Sequence, residues 1–153
     1  MTETWTGGCQ CGRVRYEVAP DAVLTLVCCH CRECQRQSAS AFGMSMIMPR
    51  SAFRLVRGTL KTWERRSDRR TVSRAHFCPN CGVRIFHGGG DADAEISLKP
   101  GTLDDTGVLD PVGHLWTRRA QPWVPLPADG LLYEGEPESD DDLYAAYRGG
   151  RDR

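Results

Sequence analysis

Long apolar runs are missing from this sequence. No stretch approaches the roughly 18 residues that a membrane-spanning helix needs, so no membrane partner is expected. The opening residues, MTETWTGG, carry neither a basic segment nor an apolar one, so no secretory signal is expected. Net charge is absent as well: 20 Lys and Arg balance 20 Asp and Glu. A chain with no basic excess is poorly suited to nucleic acid. Its one basic run, ERRSDRRTVSR, also contains Glu64 and Asp68 and reads as an exposed hairpin. Lysine is nearly missing, with only Lys61 and Lys99 among the basic residues, a bias that GC-rich coding produces by itself. No repeat and no linker divides the 153 residues, a length that suits one domain over 1–153. The expected compartment is the cytoplasm.

Cysteine, by contrast, is plentiful: there are eight. Cytoplasmic thiols are kept reduced, so a disulfide framework is not expected. Closely spaced cysteines in that setting point to metal binding or catalysis.

Short strand patterns dominate the chain. GRVRYEV alternates, with Val14, Tyr16 and Val18 on one face. VLTLVCC is an apolar run of strand length, and AFGMSMIMP, FRLVRG, LKTWERR, TVSRAHF, VRIFHGG and AEISLKP follow, separated by turn formers. These patterns predict a mainly β fold, an all-β sandwich or barrel. A short helix is expected after the cysteine cluster, near Cys31 to Ser38. A second is expected over 139–153, capped by Ser139 with Asp140, Asp141 and Asp142 in its first turn, and ending in a frayed RGGRDR tail.

The cysteines form three groups: CQC (Cys9, Cys11), the segment CCHCREC (Cys28 to Cys34), and CPNC (Cys78, Cys81). CPNCG has the form of a zinc knuckle, in which Gly82 permits a left-handed residue after the second sulfur. A structural zinc takes four ligands, and CQC offers two more, because residues i and i+2 of an extended chain point the same way. Pairing one of these groups with the central cluster is the alternative. Within that cluster, Cys29 and Cys31 are two apart, and Cys34 follows at C-x-x-C spacing. These three can share one ion, while Cys28 turns into the core as a small hydrophobe. The rival set is Cys28, Cys31 and Cys34. By the same alternation His30 points away, as a surface imidazole or one behind the ligands. Three protein ligands with a fourth position free mark a catalytic zinc, which would lower the pKa of a water or thiol placed there. Arg32 and Arg36 could add positive charge beside such a site or hold a carboxylate of its thiol substrate; as plain surface arginines they would do neither.

Taken in order, these segments resemble the glutathione-dependent formaldehyde-activating enzyme family. GGCQCGRVRYEV, CHCRECQRQSASAF, HFCPNCG, and GTLDD with DPVGHLWTRRAQPWVPL match its landmarks from about Gly7 to about Tyr133. The resemblance implies a zinc-binding complex of small antiparallel sheets, β-sandwich-like, with a structural zinc on Cys9, Cys11, Cys78 and Cys81 and a catalytic zinc on Cys29, Cys31 and Cys34. It implies addition of glutathione to formaldehyde to give an S-hydroxymethyl adduct, a carbon–sulfur lyase reaction. Two departures stand out. Cys28 is outside the family pattern, and Ala39 stands where glycine is common. If that glycine lets the backbone approach a substrate, Ala39 narrows the pocket.

For the proton step the sequence offers His114, in GHLW, as a candidate acid; the bland alternative is a buried histidine tying two loops. Trp116 and Trp123 could line a pocket, but neighbouring Pro and Leu favour core packing for both. The competing class of function is a non-catalytic binding or structural module that uses two zincs for stability.

Overall fold

The computed structural model describes residues 3–66, 72–88 and 94–151. Among them are eleven strands and two helices, the mainly β fold that the alternating patterns predict. The chain divides into two compact units, Met1–Val23 with Ile47–Val108, and Leu24–Met46 with Leu109–Arg153.

In the first unit, β1 (Trp5–Gly8), β2 (Arg15–Val18) and β5 (Phe53–Arg57) make a three-stranded antiparallel sheet in the order β1-β2-β5. The alternation in GRVRYEV sets its buried face, with Val14, Tyr16 and Val18 all 1% exposed. Tyr16 stacks on Phe53 at 5.1 Å, and Phe53 packs on Phe86 at 4.9 Å. The GTLDD turn is tied to this sheet. Thr6 and Arg15 both donate to Asp104, and the Arg15 hydrogen bonds bring its carboxyl down to about 2. The unit also carries β6 (Lys61–Arg66), β7 (Val72–Phe77), β8 (Arg84–Gly88) and β9 (Glu95–Leu98), each antiparallel to the next. ERRSDRRTVSR forms the facing strands β6 and β7 of a hairpin; its tip, 67–71, lies outside the described residues.

In the second unit, β3 (Thr25–Cys29) is buried at every position, as an apolar run without alternation requires. It lies beside β10 (Gly113–Leu115), and β10 beside β11 (Leu131–Leu132). Both pairings are parallel, where small antiparallel sheets were expected. The connection from β3 to β10 is long enough for a parallel return, and sequence pattern alone does not register it. β4 (Gly43–Pro49) begins in this unit. The core holds Val27, Cys29, Leu115 and Leu143, with Cys31, Cys34 and Trp116 packed against it.

Two helices complete the unit. α1 (Arg32–Ser38) follows the cysteine cluster. α2 (Asp141–Arg151) begins where the Ser139 hydroxyl accepts from the Asp141 N–H at 3.1 Å. It buries Leu143 and Tyr147, and truncating Leu143 to alanine would cost roughly 2–5 kcal/mol. Of the RGGRDR tail, α2 takes in Arg148 to Arg151; residues 152 and 153 lie outside the described residues. Arg148 and Arg151 in its last turn complement the helix dipole, and buried Tyr147 anchors that end.

Candidate metal centres

Within the first unit, the sulfurs of Cys9, Cys11, Cys78 and Cys81 all lie within 4.8 Å of one another. Cys9 and Cys11 are 3.5 Å apart and Cys11 and Cys78 3.8 Å. Two similar turns build the group. The Cys9 N–H donates to Val14 and the Cys78 N–H to Val83; the Gly12 N–H returns to Cys9 and the Gly82 N–H to Cys78. Gly12 (φ 76) and Gly82 (φ 77) close the turns in the left-handed region that the Cβ of other residues resists. CQC is thus a knuckle like CPNC, and the extended geometry expected for it is corrected. The signal was present, since both segments end in C-G. Hydrogen bonds from the Arg13 backbone and the Asn80 side chain bring the Cys11 thiol down to about 6.

Within the second unit, the sulfurs of Cys29, Cys31 and Cys34 also lie within 4.8 Å of one another. The converging set therefore contains Cys29, and the rival set with Cys28 does not form. Cys29 ends β3, and Cys31 is the N-cap of α1, its sulfur accepting the Cys34 N–H at 3.3 Å. The Gln37 amide donates to the Cys34 sulfur at 3.2 Å. Hydrogen bonds from Cys29 and Cys34 hold the Cys31 thiol well below the usual thiol range, while Cys29, their donor partner, is pushed up. One sulfur of the group is thus ready to carry negative charge. Cys28 is 3% exposed, and burial pushes its thiol up to about 11, as befits a core residue. All eight cysteines are free thiols. Each group could hold a metal ion, and thiolate donors are compatible with zinc.

The imidazole between two of these cysteines is the main surprise. His30 is 0% exposed, so the surface reading of it is corrected. His30 directly follows β3, which is buried throughout, so pointing away from the sulfurs means pointing into the core. Its Nε2 is 2.9 Å from His114 Nδ1, and the two rings stack at 5.2 Å. Burial lowers both pKa values, so near neutral pH the pair is uncharged and shares one proton between donor and acceptor.

The His30 carbonyl is held too. Gln35, 5% exposed, donates from Nε2 to His30 O at 2.8 Å and to Arg119 O at 3.0 Å. Its Oε1 accepts from Arg32 Nη1 at 2.7 Å and from Gln121 Nε2 at 3.3 Å. A buried amide with all its partners supplied is a rigid joint. Sequence reasoning missed Gln35. The available signal was a polar residue on the inward side of a short helix.

Arg32 and Arg36 are both exposed on α1. At about 100° per residue, Arg32, Gln35, Arg36 and Ala39 share one face of α1, and Cys31 and Cys34 lie roughly a third of a turn away. Arg36 pairs with Glu33 at 3.0 Å on the surface. Trp123 is 72% exposed, which corrects the expectation that it packs in the core. Its indole N–H donates to Gln121 at 2.7 Å. Trp116 is half-buried against the core, donates to Glu136 at 2.7 Å and carries the Arg118 guanidinium on its ring. Ala39 has φ 50 and caps the end of α1. A glycine there would relieve backbone strain.

A family model described as glutathione-dependent formaldehyde-activating enzyme matches residues 4–119. Among solved structures, the chain is similar to a Rhodobacter sphaeroides protein determined as a Northeast Structural Genomics target. The match has 22% identity and a TM-score of 0.51, covering 84% of this chain and 98% of that one. At that identity the likeness shows a shared fold.

Proposed function

Because the chain belongs to the glutathione-dependent formaldehyde-activating enzyme family, we propose that it joins glutathione, or another small thiol, to formaldehyde or a related aldehyde. The observation that carries this reading is the convergence of Cys29, Cys31 and Cys34 as a set of three, apart from the set of four. The four-sulfur group is a complete ligand set for structural zinc, and the three-sulfur group leaves one position for an exogenous ligand. Cys9, Cys11, Cys78 and Cys81 would hold the first ion and Cys29, Cys31 and Cys34 the second. When bound there, zinc acts as a Lewis acid and lowers the pKa of a thiol that shares it.

The reaction is an addition. The thiol sulfur bonds to the carbonyl carbon, the carbonyl π bond breaks onto oxygen, and the thiol proton ends on that oxygen. The product is an S-hydroxymethyl thioether, so the enzyme is of the carbon–sulfur lyase class. The chain's own residues hold the geometry. Cys31 is fixed at the start of α1, its sulfur accepting the Cys34 N–H. Gln35 and His114 fix the residue between Cys29 and Cys31 at its carbonyl and its ring. His114 uses Nδ1 toward His30, which leaves Nε2 as the nitrogen that could exchange a proton with the forming alcohol. Eight free thiols suit a reducing, cytoplasmic setting, and no helix among the described residues is long and apolar enough to cross a membrane. With charge balanced, nucleic acid is not among the proposed partners.

The test follows adduct formation from glutathione and ¹³C-formaldehyde by NMR, with two zincs per chain verified. The zinc-loaded protein should accelerate formation over the spontaneous rate, and Cys34→Ser should remove the acceleration. A loaded protein that leaves the spontaneous rate unchanged would instead be a non-catalytic, zinc-stabilised module.

A further inference from the structure

The three sulfurs of the second unit are not held alike. Cys31 accepts a backbone N–H, from Cys34 at 3.3 Å, a bond that any residue but proline could supply from position 34. Cys34 accepts from a side chain, the Gln37 amide at 3.2 Å. Gln37 stands three residues further along α1, so it neighbours Cys34 on the helix surface. It is half-buried between the exposed Arg36 and Ser38. Cys34 is pinned from other sides as well. The Ser38 hydroxyl donates to its carbonyl at 2.7 Å. Gly43, at the start of β4, lies so close that a Cβ there would stand 3.3 Å from the Cys34 Cβ. With its Cβ and its carbonyl fixed, Cys34 keeps its sulfur within reach of the amide.

We propose that Gln37 is a positioning residue of the three-sulfur site: its N–H···S bond holds Cys34 as a metal ligand and draws off part of the negative charge that an entering thiolate adds. The proposal rests on the thiol-addition reading above and adds to it the residue that sets how readily a thiol enters. A dication bound by three thiolates is already negative by one charge, and a fourth thiolate makes it negative by two. That second charge has to be spread over the surroundings. An amide N–H aimed at a thiolate stabilises the charged sulfur, and such a bond strengthens as the charge on the acceptor grows. A neutral amide also leaves the sulfur on the ion, where a cation at the same place would compete for it.

This role differs from that of Gln35. The Gln35 amide donates to two carbonyls, those of His30 and Arg119, and so fixes the backbone around the site. The Gln37 amide meets a sulfur directly, and so acts on the electrons that the sulfur can share. The two residues should therefore leave different signatures. Loss of Gln35 loosens the hold on metal; loss of Gln37 chiefly changes the charge-transfer energy of the bound metal and its affinity for thiol.

A charge series at position 37 tests this on the protein with cobalt at both sites, with 2-mercaptoethanol, a neutral thiol, as the probe. Gln37→Leu keeps the bulk and removes the donor. Gln37→Lys keeps a donor and adds positive charge, and Gln37→Glu keeps the shape and adds negative charge. Without thiol, Gln37→Leu should move the thiolate-to-metal absorption of the three-sulfur site to longer wavelength, because a sulfur without the bond gives up its electrons more easily. The band of the four-sulfur site should stay in place in every variant, which also shows that the chain is folded. Thiol should bind about three- to tenfold more weakly to Gln37→Leu, more weakly still to Gln37→Glu, and at least as tightly as wild type to Gln37→Lys. A packing role alone makes all three variants lose affinity together, and that pattern would overturn the proposal. So would wild-type absorption and wild-type thiol affinity in Gln37→Leu, a result that leaves the thiol-addition reading standing. If the wild type itself takes up no thiol at full occupancy, the thiol-addition reading falls and takes the proposal with it. If the affinities follow the charge series but no adduct formation is accelerated, the role of Gln37 in thiol entry stands and the reaction falls.

Discussion

The two sulfur groups are built in opposite ways. In the first unit, four cysteines come from two similar turns, and Cys11 and Cys78, 67 residues apart, bring their sulfurs to 3.8 Å. In the second, the three sulfurs come from one stretch, Cys29 to Cys34, that turns from strand into helix. The first group closes a long loop and supplies all four ligands from the chain. The second closes no long loop, supplies three, and is backed by a buried imidazole and a buried amide. On the proposed reading, sulfur count and loop length together separate a site whose ion would hold the fold from one whose ion would work on a ligand.

The largest expected effect breaks this comparison at the level of folding. Cys81→Ser opens the long loop and should cost about 5 kcal/mol or more, so melting should fall by roughly 10–20 °C. Cys34→Ser disrupts a local turn and should cost only a few degrees while abolishing adduct formation. Similar melting of the two variants would erase the distinction.

Metal loss should follow the same order. Under a mild chelator the three-sulfur site should empty first, read as one zinc released per chain before the melting temperature drops. Simultaneous release of both ions, together with unfolding, would contradict this.

The residues behind the second site sharpen the comparison further. Gln35→Met keeps the volume and loses the bonds to His30 and Arg32. It should weaken metal at the three-sulfur site about 10–100-fold and leave the four-sulfur site alone, measured by competition with a chromophoric chelator. A uniform loss at both sites would mean a general folding defect instead.

The smallest effect is local. Ala39→Gly removes the cost of a left-handed alanine at the end of α1 and should stabilise by about 0.5 kcal/mol, net of the entropy glycine adds to the unfolded chain. A destabilised variant would show that the Ala39 methyl packs favourably.

Local pattern and spacing made much of this legible. Val14, Tyr16 and Val18 announced a buried strand face, and unbroken apolarity in VLTLVCC announced a strand covered on both sides. C-x-x-C and C-x-C spacing drew the sulfurs into the sets that converge. What stayed hidden depends on partners distant in sequence. His30 was read as pointing away, but its burial depends on His114, 84 residues later. Gln35 has no motif, and its role exists only once Arg32, Gln121 and two carbonyls surround it. Trp123 sits beside Pro122 and Val124 and looks like core, yet a hydrogen bond to Gln121 holds it outward. The parallel pairing of β10 with β3 likewise follows from chain return, which no short window contains.

The central claim is that the three-sulfur site accepts a thiol and the four-sulfur site does not. Cobalt in place of zinc makes both visible through thiolate-to-metal absorption. With cobalt at both sites, glutathione should raise the absorption assigned to the Cys29, Cys31 and Cys34 site, because a sulfur replaces an oxygen ligand. The signal of the other site should stay constant. Cys28→Ala should respond like the wild type. An unchanged spectrum with glutathione and with any smaller thiol, at full occupancy of both sites, would contradict the account.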